Sequence, residues 1–305
     1  MARSVGVYTA TESLGKETRE DLLDVLTNIS PKKTPLYSGL KTSTATSTVH
    51  NWTYDSYART TSQATHAEGG DFTFADETAP TRGTNVIQPF TRPVKVSWEQ
   101  NASDTVGGKS LPRLKAKALH EWKLKVEYHL LNGSYVSGAT NIGWQMKGAV
   151  HFVDSGNVNS YASLSCLTET IFDDLVEELY TDTDAEVVEA YMKIALKKRI
   201  SSFTASNTRN VSADDRRLIK PIDIIETDAV PMVKLFSHRD MPANKILAIV
   251  PEYFRVAYLI KPEYRSVPST GSYDAGVWYG SLTLEVLDPK AGALAVNIAE
   301  AQPAV

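Results

Sequence analysis

Residues 110–131 constrain this chain more than any other stretch. Leu111, Leu114, Ala118, Trp122, Val126 and Leu130 recur at steps of three and four, which places them on one face of a helix. Pro112 falls in the first turn, where a missing N–H costs nothing, with Ser110 as candidate cap and Gly133 just past the end. The spacing predicts one helix from Ser110 to Leu131, roughly 30 Å long at 1.5 Å per residue. A rod of that length spans a small domain, so the other elements must be laid along it. Lys115 and Lys125 interrupt the stripe, and Leu124, Tyr128 and Leu131 form a second apolar edge. Arg113, Lys117 and Lys123 point elsewhere. From Lys109 to His129, six Lys or Arg stand against two Glu, a modest basic patch.

A chain of 305 residues with 42% hydrophobic content has ample material for a core, as one large domain or two. No run is apolar for the length of a membrane span, and Met1 to Ser4 do not lead into a signal-peptide core, so a soluble protein made in a cytoplasm is expected. Cys166 is the only cysteine, which excludes an intrachain disulfide and any cysteine-rich metal site. A net charge of −4 and a pI near 5.9 argue against a protein held on nucleic acid by its overall field.

Along the chain, Glu17 to Asn28 reads as a short amphipathic helix that Ser30-Pro31 to Thr34-Pro35 terminates. Such an arm has too little apolar surface to fold alone. His50, Trp52 and Tyr54 alternate with polar neighbours as in a half-exposed strand, and Pro89 to Trp98 forms a second, with Phe90, Val94, Val96 and Trp98 on one face. Pro89 and Pro93 put both missing N–H groups on the same edge, which its own sheet cannot pair. The other edge is expected to pair with residues 49–54 in a long ribbon. About thirty residues rich in Gly, Thr and charge lie between these strands; loops so long are usually functional.

Beyond the long helix, Thr168 or Thr170 caps an amphipathic helix with Ile171, Phe172, Leu175, Val176 and Leu179 inward and Asp173, Asp174, Glu177 and Glu178 outward. Val187-Val188 reads as a brief strand and Ala190 to Phe203 as a helix. From Lys220 onward the pattern is strand: 222–226, 232–236, 246–250, 282–287 and 294–298. The class is α+β without regular βαβ alternation.

Chemistry is hard to find. There is no phosphate loop, since Gly107-Gly108-Lys109-Ser110 lacks the first glycine of that motif, and no HExxH or GxSxG pattern. The six histidines lack metal spacing and read as surface or satisfied side chains. Asp173-Asp174 and Glu177-Glu178 read as a solvated acidic face, because adjacent helical residues diverge by about 100°. No catalytic, cofactor or metal residue is assigned. Exposed aromatics and arginines of the ribbon are instead candidates for contacts between subunits: Trp52, Tyr54, Arg59, Arg82, Arg92 and Trp98.

The order of pieces resembles the major capsid proteins of tailed double-stranded-DNA phages with the Hong Kong 97-like fold. The residues that carry it are Arg19 to Pro31 followed by Thr34-Pro35; His50-Asn51-Trp52 with Asp55; and Leu167-Thr168-Glu169. Met232 to Leu235 running into His238-Arg239-Asp240-Met241-Pro242, and Ser269 to Ser272 leading to Leu282 to Val286, complete the series. Two places depart from the family pattern: Asp182 to Ala185 replaces a glycine-rich turn, and Tyr279-Gly280 an acidic residue. The resemblance implies an N-terminal arm (1–44), an extended two-stranded loop (45–104), a spine helix of a peripheral domain (105–135), an axial domain (136–270) and C-terminal strands returning to the peripheral domain (271–305). It implies a non-enzymatic subunit without cofactors that assembles with itself, as pentamers and hexamers, into an icosahedral virion capsid in the host cytoplasm. Its partners would be a portal, scaffold or decoration proteins, and packaged DNA bound without sequence specificity, toward which Arg113, Lys117 and Lys123 would face. The same fold builds encapsulin-type compartments. A tail-tube subunit, or a hydrolase using the acidic helix, would be a different class.

Overall fold

The computed structural model describes residues 33–55, 57, 68–71, 79–103, 109–138, 143–203 and 223–299. The expected arm helix at Glu17–Asn28 and the candidate Arg59 lie outside them. Described elements begin with α1 (Pro35–Gly39), β1 (Lys41–Thr44), β2 (Val49–Tyr54), β3 (Thr81–Val86), β4 (Gln88–Ser97), α2 (Trp98–Ala102) and α3 (Ser110–Asn132). They continue with α4 (Ala149–Phe152), β5 (Val158–Cys166), α5 (Glu169–Thr183), β6 (Val187–Met192), α6 (Ile194–Phe203), β7 (Ile224–Ile225), β8 (Met232–Ser237), β9 (Lys245–Ile249), β10 (Phe254–Val267), β11 (Tyr273–Val286) and β12 (Gly292–Ala299).

The spine helix α3 forms as its spacing predicts, with Ala118, Trp122, Val126 and Leu130 buried. Ser110 is its first residue, not its cap; Lys109 takes the cap position without a side-chain bond. Trp122 is the centre of the packing. It is fully buried, its Nε1 donates to the Phe90 carbonyl at 3.0 Å, and its ring meets Phe90 and Tyr37 edge-on, each at 6.3 Å. Gly280 lies directly beneath: a Cβ there would sit 2.8 Å from the Trp122 ring. The departure at Tyr279-Gly280 is thus the space the indole fills.

Below the helix lies a four-stranded sheet in the order β1-β10-β11-β4, parallel at β1–β10 and antiparallel elsewhere. β4 pairs with β11, not with β2 as the sequence suggested. The proline argument still fits its position, because among the described residues β4 is an edge strand of this sheet. The ribbon is instead β2 with β3, in antiparallel register from Val49↔Val86 to Tyr54↔Thr81. Its base is stitched down by Asn85, which is fully buried and satisfied. Asn85 Nδ2 donates to the Leu284 and Lys147 carbonyls (2.8 and 3.1 Å), and its Oδ1 accepts from the Val86 and Lys147 amides (2.9 Å each).

A six-stranded mixed sheet follows, in the order β5-β12-β9-β6-β8-β7. β6 runs through Met192, so the helix expected from Ala190 starts only at Ile194. Tyr191 and Met192 are fully buried, and Leu196 and Ile200 hold α6 inward while Ile194 is exposed. Thr168 caps α5 by accepting from the Ile171 amide, and Asp184 ends it in the left-handed conformation (φ 53°), doing the work of the missing glycine. The two C-terminal strands part company: β11 belongs to the four-stranded sheet with β10, whereas β12 belongs to the six-stranded one. The boundaries expected at 270 and 271 therefore do not follow the sheets.

Replacing Gly280 by Ala should force the Trp122 ring or the neighbouring Pro262 backbone to shift. The expected loss is about 1–3 kcal/mol, read as a lower transition temperature by calorimetry.

Candidate functional site

The ribbon's residues divide sharply. Trp52 is not an exposed ring: it is 9% exposed, lies across Gly83 of the facing strand, and packs on Phe152 (6.0 Å) and His50 (5.6 Å). Tyr54 is half-buried beside a cleft of about 320 Å³ that Lys147, Phe152, Asp154 and Pro289 also line. Burial, and then the Asp288 and Asp154 carboxylates, push its phenol up. Both residues serve the ribbon's own seat. Arg82, opposite Thr53, is exposed. His50 ties β2 to the body by placing Nε2 3.3 Å from Glu285 Oε2, which also accepts from the Ser43 hydroxyl.

The remaining candidates gather around the spine helix. Arg92 Nε donates to Glu121 Oε2 at 2.5 Å, and Lys117 reaches Oε1 of the same carboxylate at 3.8 Å. Arg92 thus fastens the edge strand β4 to α3, and the exposed pair costs little to break. Trp98 opens α2 instead of closing β4; it is 52% exposed, with its Nε1 donating to Asp274 Oδ1 at 3.2 Å. Arg113, Lys117 and Lys123 all lie about 100° or more around the helix from Trp122. Lys117 is exposed and the other two are half-buried. They form a loose cationic side, broken by Glu121, rather than a cluster.

The most elaborate polar site was not singled out from sequence. Glu127, on α3, has a side chain only 1% exposed. Its Oε1 accepts from the Leu36 amide (2.9 Å) and stands 2.7 Å from His238 Nε2; its Oε2 accepts from the Tyr37 amide (2.7 Å). His238 Nδ1 accepts from the Asp240 amide at 3.1 Å, so the ring's proton sits on Nε2 and points to Glu127. One signal existed: a lone acid between Val126 and the apolar Leu130-Leu131, near the buried face of the helix. His238 is thereby a satisfied core histidine, as its lack of metal spacing suggested.

Among the described residues no three His, Cys, Asp or Glu side chains converge as metal ligands. The acidic face of α5 is exposed at Asp173, Asp174 and Glu177. Burial and then neighbouring carboxylates raise Asp173 above the ordinary range, and burial does the same for Glu178, with Asp182 and Asp174 adding to it against the Asn159 bond. A carboxylate raised by folding costs stability once ionised. That cost is absent below its unfolded-state range and grows as pH rises through the folded value. Glu178→Gln, which keeps an acceptor for Asn159 Nδ2, should therefore raise the transition temperature by about 1–2 °C at pH 7. Calorimetry near pH 3 should find no difference.

Residues 6–299 match the SU10 major capsid protein family. Among curated protein sequences none matches. The fold is similar to solved shell proteins at low identity. The capsid asymmetric unit of cyanophage A-1(L) has a TM-score of 0.68 at 13% identity, covering 95% of this chain and 99% of that one. The capsid of the native GTA particle has 0.69 at 12%, covering 97% and 100%. The SrpI encapsulin of Synechococcus elongatus PCC 7942 has 0.62 at 12%, covering 99% of each.

Proposed function

The chain belongs to the SU10 major capsid protein family, and from that premise we propose that it closes as pentamers and hexamers into an icosahedral shell around the double-stranded DNA of a tailed phage. The observation that carries this reading is the family match across nearly the whole chain, residues 6–299. The subunit works by self-association and catalyses nothing. Portal, scaffold and decoration proteins are its further partners, and assembly takes place in the host cytoplasm.

The parts take the roles of an arm (to residue 44), a projecting loop, a spine-helix domain and an axial domain, with the six-stranded sheet as the axial unit. Contacts between subunits fall to the exposed residues, Arg82 and Trp98, and to Arg59 in the loop. Trp52, Tyr54 and Arg92 hold the ribbon and β4 in place. Many weak contacts repeated around a closed shell add up through multivalency. Arg113, Lys117 and Lys123 face the packaged DNA, where scattered cations neutralise phosphate without reading sequence.

An encapsulin-type compartment is the second reading, favoured by the likeness to the SrpI encapsulin. Content separates the two. Electron microscopy of particles made in an infected or packaging-competent cell should show closed shells holding nuclease-protected DNA. Shells loaded with a protein cargo and no DNA would support the compartment instead, and an absence of shells would refute both.

Two variants test the assigned parts. Deleting residues 58–78, which leaves β2 and β3 whole, should give a soluble subunit that forms no closed particles by light scattering. Neutralising Arg113, Lys117 and Lys123 together to Gln should leave shells intact and lower their DNA content at least twofold.

A further inference from the structure

Residues 34–44 lie on the body as a strap. Helix α1 has five residues and β1 four, and among the described residues β1 pairs along β10 alone. Leu36 and Leu40 are its buried apolar anchors, and the Tyr258 hydroxyl donates to that of Tyr37 at 2.9 Å. The turn after it, Thr46 to Thr48, is exposed. Its polar hold on α3 is the pair of consecutive amides, Leu36 and Tyr37, donating to the two oxygens of Glu127.

The same carboxylate holds the loop that leaves β8. His238 Nε2 donates to Oε1, the oxygen already taken by Leu36, while the His238 amide donates to the Met192 carbonyl at 2.7 Å. One turn along the helix, Asn132 Nδ2 donates to the Asp240 carbonyl at 2.8 Å. From β6, Tyr191 brings its ring 6.3 Å from that of His238 and donates its hydroxyl to Glu189. Glu127 therefore receives three donors from two chain segments, and among the described residues no hydrogen bond joins those segments directly.

We propose that Glu127 and His238 form a latch that couples seating of the 34–44 strap to attachment of the 238–241 loop, and through it the six-stranded sheet, to the spine helix. If the strap leaves, a buried carboxylate keeps one donor of three and must turn toward water, pulling away from His238. If the loop leaves, Oε1 loses its side-chain donor and the oxygen that fixes the strap is no longer held in place. Either segment's release loosens the other, which makes the strap a reporter of where the axial sheet sits.

The test is amide hydrogen exchange by mass spectrometry on the full-length chain at neutral pH. His238→Gln removes the ring without deleting any hydrogen bond made by the strap itself. It should speed exchange at Leu36 and Tyr37 at least tenfold while leaving Lys245–Ile249 unchanged. Leu36→Ala, which weakens the strap's anchor, should reciprocally speed exchange at the Asp240 amide. In a Glu127→Gln background, adding His238→Gln should change the strap no further. Should His238→Gln unfold the whole chain, seen as faster exchange in Lys245–Ile249, Asn132→Ala is read in its place: it frees the loop without touching Glu127 and should also loosen the strap. Strap exchange at the wild-type rate in the readable variant, with 238–241 alone accelerated, overturns the latch.

Discussion

Burying a carboxylate costs several kcal/mol unless donors surround it, and removing one partner from a buried pair is worse than never having had the pair. Glu127 meets that requirement with groups from three places in the sequence. Two amides come from α1 of the strap, one imidazole from the residue after β8, and the acid itself from the last quarter of α3. Moving either segment away leaves the buried carboxylate short of at least one donor. The apolar packing around Trp122 and Leu130 sets where the helix lies; Glu127 sets which segments lie against it and in what register.

The rest of the architecture follows from that arrangement. Trp122 and Gly280 bring α3 onto the four-stranded sheet, Arg92 and Glu121 fasten the sheet's edge strand to the helix, and Asn85 roots the ribbon on β11. These contacts fix the ribbon at its base on the body of the subunit. The same logic explains why the ribbon's large aromatic, Trp52, turns inward. Trp52, packed on Phe152 and His50, supplies the buried area that fixes the ribbon's direction at its base.

Much of this was legible in the sequence, and the failures have physical causes. The period of α3 gave its face and length to within a residue, and the cap of α5 was readable because Thr168 and its run of acids obey local rules. The paired prolines correctly made β4 an edge strand, yet they said nothing of which strand covers the other edge, because pairing is decided by distant residues. β10 went unread since Pro262 sits inside it; that residue falls past the end of β1, where β10 has a free side. The sequence of β6 reads partly as helix because a strand buried on both faces shows no alternation. The candidate site was the least legible part. Exposure decides whether an aromatic or arginine is free for a partner, and composition does not report exposure. Glu127 was missed because its three donors lie 90 to 111 residues away in the chain.

The dependence of the fold on one carboxylate is most directly tested by urea denaturation of Glu127→Ala. Two amides and an imidazole would be left without their acceptor, so the account predicts a loss of about 3 kcal/mol or more in unfolding free energy. A variant whose stability stays within about 0.5 kcal/mol of the wild type, the range of ordinary surface substitutions, would contradict it.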